Sequence, residues 1–153
     1  MGKHHNNLEQ EAFEAIVGLS FEFAILIDIG NGLCKILKKQ DKKRIPYLID
    51  GDYIPYKDQL ASFVNYSVSQ NSQKEAANIM SLDRIIAETK DGGTYNVFFS
   101  VLIPGGKIRY KKWRYFRLLG HENQIVFTRE DVTDAVLSER DKVTGLVTIE
   151  RML

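Results

Sequence analysis

Lys107 to Arg117 holds six cations in eleven residues: Lys107, Arg109, Lys111, Lys112, Arg114 and Arg117. Four rings, Tyr110, Trp113, Tyr115 and Phe116, are interleaved with them. Alternate residues of a strand share a face, so Tyr110 and Phe116 fall on one side and Trp113 and Tyr115 on the other. Cations among exposed rings suit a single-stranded nucleic acid, through phosphate pairing and base stacking. The same pattern suits a strand whose long basic side chains lie along apolar surface with their charged ends in water. Both readings stand at this point. The chain as a whole is balanced: 21 basic and 20 acidic residues give a net charge of +1 at pH 7. Bulk charge therefore points to neither nucleic acid nor membrane.

Other residue types that do chemistry are scattered. The sequence has no G-x-x-x-x-G-K-S/T phosphate loop, no H-E-x-x-H, no Cys/His ligand set and no G-x-S-x-G elbow. Cys34 is the one cysteine, so it has no internal disulfide partner, and on a strand it reads as a small buried hydrophobe. His121 stands alone in a turn and reads as solvent-exposed; His4 and His5 receive no role. Glu122, Glu130 and Asp131 are close in sequence, but strand alternation sends Glu130 and Asp131 to opposite faces. No catalytic constellation and no metal site emerge, and a non-enzymatic chain is expected. No apolar run reaches the roughly 18 residues of a spanning helix, and the start lacks the apolar core of a signal peptide. A reducing, cytoplasmic setting is expected.

The elements that position these residues follow from periodicity and punctuation. Tyr95–Ile103, Lys107–Leu118 and Gln124–Val132 are three apolar-rich runs, separated by Pro104-Gly105-Gly106 and Gly120-His121-Glu122-Asn123. They predict an antiparallel meander. Phe21–Lys38 predicts a hairpin around Gly30-Asn31-Gly32. Ahead of it, Leu8, Ala12, Ala15, Ile16 and Leu19 recur at helical spacing over 7–19. That helix either packs on its own domain or pairs between subunits. Pro55 opens a helix with Tyr56, Leu60, Phe63 and Val64 on one face. Ser72-x-x-Glu75 is a capping box for a helix to about Met80, and Leu82, Ile85, Ile86 and Thr89 form another, stopped at Gly92-Gly93. After the last strand, Thr133 is expected as N-cap of a helix over Asp134–Asp141, with Asp131 or Asp134 adding favourable charge. The class is α+β: a five-stranded antiparallel sheet with short helices on one face, an N-terminal amphipathic helix and a C-terminal exit helix. Pairing of the last strand with the first would leave the second strand and the first meander strand at or near the edges.

The segment Gly106-Lys107-Ile108-Arg109-Tyr110 through Phe127-Thr128-Arg129-Glu130-Asp131-Val132-Thr133 resembles the second half of PAS domains, whose last strand ends in Asp-Ile/Val-Thr. Phe21-Glu22-Phe23 with Ile27-Asp28 is similar to their opening strand. The resemblance covers roughly Phe21 to Thr133. Where many relatives carry Val-His-Pro-x-Asp-Arg, this chain has Val68-Ser69-Gln70-Asn71-Ser72-Gln73. The resemblance implies a sensory and dimerisation module that passes a signal through Asp131, Val132 and Thr133 to the exit helix. Haem-binding relatives use a His in the helical cap, and 41–93 contains none. Photochemical flavin relatives use a Cys on a helix, whereas Cys34 is on a strand. Both cofactors are disfavoured; a small metabolite between helices and sheet, or no ligand, remains open.

Farther on, Asp141-Lys142-Val143-Thr144-Gly145-Leu146 resembles the Asp-x-Leu-Thr-Gly-Leu opening of GGDEF domains, the diguanylate cyclase family. Asp141, Thr144, Gly145 and Leu146 carry the match, which fades at Val147. The implied layout is a helix over 7–19, a PAS-like sensor over 20–133, and over 134–153 an exit helix with the start of a downstream domain. A homodimer feeding a cyclic di-guanylate output is what this arrangement implies.

Overall fold

The computed structural model describes residues 2–39, 47–103 and 105–142. Its strands are β1 (Phe23–Asp28), β2 (Leu33–Lys39), β3 (Ile54–Pro55), β4 (Tyr95–Ile103), β5 (Lys107–Leu118) and β6 (His121–Asp131). They form one antiparallel sheet in the order β3-β2-β1-β6-β5-β4. The helices are α1 (Gly2–Ile16), α2 (Tyr56–Ser67), α3 (Gln73–Ile79), α4 (Leu82–Glu88) and α5 (Thr133–Lys142). This is the expected α+β class with helices against an antiparallel sheet, and β6 pairs with β1. It has one strand more than expected. The addition is the two-residue β3, too short to show periodicity and containing a proline that cannot donate to a ladder.

Local chemistry sets the turns. In the β1–β2 hairpin the Asp28 carboxylate accepts the Gly30 N–H at 2.8 Å, the Asn31 side-chain oxygen accepts the Leu33 N–H at 2.9 Å, and Gly32 takes φ +74°. The β5–β6 connection is tighter than expected. Gly120, at φ +82°, and Leu119 suffice to reverse the chain, and Leu118 pairs with His121 after a register shift. His121, Glu122 and Asn123 therefore belong to β6 rather than to a turn.

One face of the sheet carries the main core. Phe23, Ile25, Phe99, Trp113, Tyr115 and Phe127 point from it toward Tyr56, Leu60 and Phe63 of α2, Ala76 of α3 and Ile85 of α4. Buried tyrosines stitch helices to strands. The Tyr56 hydroxyl donates to the Met80 carbonyl at 2.8 Å and lies 3.0 Å from the Tyr115 hydroxyl, while the Tyr95 hydroxyl donates to the Ile79 carbonyl at 2.7 Å. The carbonyls at the end of α3 are satisfied in this way. Leu8, Ala12 and Ile16 of α1 cover Ala24, Leu26, Leu37, Leu118 and Val126 on the opposite face. Two polar ties accompany that packing: Lys35 to Glu9 at 3.1 Å and His121 to Glu11 at 2.7 Å. Of the two positions open to α1, the apolar stripe is spent on its own sheet, and His121 is a strand residue held by α1 rather than a lone turn histidine.

Candidate functional site

The basic strand β5 resolves into separate structural roles once its register is known. Trp113 and Tyr115 face the main core, 3% and 0% exposed. Trp113 packs against Phe63 at 4.2 Å, Phe127 at 4.7 Å, Phe99 at 5.2 Å and Phe23 at 6.4 Å between ring centroids. These two rings thus offer no face to a base, and the stacking platform that was open from the sequence lacks its central aromatics. Five of the six cations are engaged too. Arg117 donates to the Ile86 carbonyl at 2.9 Å and to the Thr89 hydroxyl at 3.1 Å, capping the end of α4. Lys112 sits over the Phe98 ring at 5.9 Å, and Arg114 is 3.8 Å from Glu130.

Arg109 and Lys111 enter a charge network that runs from the core to the exit helix. It begins at Arg129, whose guanidinium lies 4.8 Å from the Phe23 ring centre and 5.0 Å from that of Tyr47. Burial pulls this guanidinium below its usual range, and Glu22 opposes that pull. Arg129 Nε donates to Glu22 Oε1 at 3.1 Å. Lys111, 7% exposed, donates to both Glu22 oxygens at 3.0 and 2.9 Å and to Asp131 Oδ2 at 3.0 Å. Arg109 Nε donates to the same Asp131 oxygen at 2.9 Å. The other Asp131 oxygen accepts the Thr133 backbone N–H at 2.9 Å. Partial burial pushes the Asp131 carboxyl up, but hydrogen bonds from Arg109, Thr133 and Lys111 outweigh it and hold the group well below the usual carboxylate range.

The junction itself is gripped by β5. The Tyr110 N–H donates to Thr133 Oγ1 at 2.9 Å, the Val132 N–H donates to the Tyr110 carbonyl at 2.8 Å, and the Tyr110 ring packs with Val132 and Val136. This corrects one expectation. Thr133 is the first residue of α5 rather than its N-cap, because its hydroxyl is drawn to β5 and the Asp131 carboxylate takes the helix-start amide instead. Asp131, Val132 and Thr133 are nonetheless brought together as one unit. Asp141 lies in the last turn of α5. Thr144, Gly145 and Leu146 lie outside the described residues, so the downstream-domain motif has no geometry here.

Sequence reasoning missed Glu22, Lys111 and Arg129 as partners of the junction. The only signal was a carboxylate beside the first strand and unusual charge on two core strands. It also missed how Tyr47 is placed. Gln59 of α2 clasps Ile49 through both backbone groups, at 2.8 and 3.1 Å, and the Ser62 hydroxyl donates to the Tyr47 carbonyl at 2.6 Å. The void between helices and sheet is about 10 Å³, lined by Tyr47, Phe63, Trp113 and Phe127 among others. Among the described residues, the buried Tyr47 hydroxyl and Trp113 Nε1 have no hydrogen-bond partner.

Cys34 is fully buried, and burial pushes its thiol up to about 12. At pH 8 a maleimide should leave native Cys34 untouched over the time in which a urea-unfolded sample reacts fully. Equal rates would show that the thiol is accessible. Among the described residues, no group of three His, Cys, Asp or Glu side chains is placed to hold a metal ion, and no helix is long and apolar enough to cross a membrane.

No protein-family model matches the chain, and no curated protein matches it. Among solved structures, the chain is similar to a sensory box histidine kinase/response regulator from Burkholderia thailandensis E264. The two are 18% identical with a TM-score of 0.43, over 85% of this chain and 91% of that one.

Proposed function

We propose that this chain is a PAS-type sensory module that relays a change in its core to the helix leaving its last strand. The observation that carries this reading is the continuous network Arg129, Glu22, Lys111, Asp131, Thr133. One end lies on the aromatic core and the other on the first turn of α5. Any shift of Tyr47 or Phe23 moves the guanidinium above them, and the charge partners pass that displacement to the helix start. The module works as a homodimer and feeds a GGDEF-type domain, or a degenerate copy acting with a phosphodiesterase. The resemblance of Asp141, Thr144, Gly145 and Leu146 supports that output. The chain itself performs no catalysis.

The test joins the full chain to a GGDEF-type cyclase domain and measures cyclic di-guanylate formation. Lys111→Met keeps the aliphatic stem and removes the charge that links Glu22 to Asp131. It should change cyclase output by several-fold and speed amide exchange in the first turn of α5. Unchanged output together with unchanged exchange would overturn the relay. Sedimentation of the chimera reports the dimer; a monomer with full activity would refute that part.

A further inference from the structure

A cleft of about 750 Å³ lies outside the main core, between the β1–β2 turn, α2, α3 and the start of α4. It is far larger than the roughly 10 Å³ void under the sheet, and it falls within the range of small-molecule sites. Its apolar lining comes from Leu60, Ala61 and Val64 on α2, Ala77 on α3 and Leu82 on α4. Tyr56 also lines it, but its hydroxyl is already committed to Met80 and Tyr115. The charge on the lining is one-sided. Lys57 on α2 and Lys74 on α3 both border the cleft, and no Asp or Glu does. In a chain with 21 basic and 20 acidic residues, that local imbalance selects for an anion. Among the described residues neither ammonium has an ion-pair partner, whereas Lys35, Lys39 and Lys111 do.

We propose that this cleft binds an amphipathic monocarboxylate, its apolar body along Leu60 and Val64 and its carboxylate at the basic border that Lys57 and Lys74 supply. Asn31, Asn65, Gln73 and Ser81 also line the cleft, so the apolar body is expected to lie on the Leu60–Val64 side. The site stands independently of the relay to α5: binding can be read without any output, and its failure leaves the charge network untouched.

The experiment is calorimetric titration of the full chain with octanoate, and with 1-octanol as the neutral match. Octanoate should bind and octanol should bind much more weakly. The Lys57→Gln/Lys74→Gln double variant should weaken octanoate about tenfold, the combined worth of two partly exposed ion pairs. Ala61→Trp, which fills the cleft from an exposed helix position, should abolish binding. Thermal midpoints of both variants check that they fold. Equal affinity for octanol and octanoate, or octanoate binding that survives Ala61→Trp, would overturn the proposal. So would the absence of heat and of amide chemical-shift changes at millimolar octanoate.

Discussion

Replacing Trp113 by alanine is expected to lower the unfolding free energy by about 4 kcal/mol, read as a shift of the urea midpoint. The indole is 3% exposed and contacts four phenylalanine rings, two of them edge-on. Removing it deletes buried area and leaves a hole that β-strands on both sides cannot easily close. Trp113→Phe is the informative companion. It keeps most of the ring contacts and removes an indole N–H that has no partner among the described residues, so it should cost less than half as much. A nucleic-acid platform makes the opposite forecast: alanine at 113 would abolish binding of single strands and leave stability nearly unchanged. A stability loss under about 1 kcal/mol would place the indole outside the core.

The second large effect is at Asp131. Asp131→Asn keeps an oxygen for the Thr133 amide but removes the charge that faces Arg109 and Lys111, at an expected cost of about 2 kcal/mol at pH 7. The loss should depend on pH with a definite sign. Asp131 titrates lower in the folded chain than the roughly 3.9 of an unfolded aspartate. Its contribution is therefore complete above about pH 4 and is lost as pH falls through the folded value. Urea midpoints of wild type and variant should differ at pH 7, stay apart at pH 5 and converge as pH falls below 4. A difference that stayed constant down to pH 2 would mean that the charge is not what Asp131 supplies.

Much of the sheet was legible. Tyr95–Ile103 and Lys107–Leu118 are observed with the bounds that the apolar runs and glycines predict, because each run is long and bounded by turn residues. The pairing of the first and last strands was also legible, since both are apolar enough to be central. The candidate site was half legible. Asp131, Val132 and Thr133 are contiguous, so a short motif reveals them. Their partners are not: Lys111 meets Glu22 across 89 positions and Arg129 meets it across 107. Such pairs exist only after the strands align, and residue type alone does not name them. The same reason explains His121 and Glu11, which are 110 positions apart. Thr133 was misassigned at the level of its hydroxyl, because a neighbouring strand competed for it and won.

The two borders of the sheet are unlike. On one side β3 ends the ladder after two residues, one of them Pro55, which has no N–H to offer. On the other, β4 presents nine residues with a ladder partner on only one flank. Beyond Leu33 and Cys34 the outer flank of β2 carries no ladder partner among the described residues, so β4 is the longer of two partly open borders. Two copies joined along their longest open borders would meet β4 to β4, with the β3 sides facing outward. Such a pairing would join two sheets into one continuous sheet about a twofold axis.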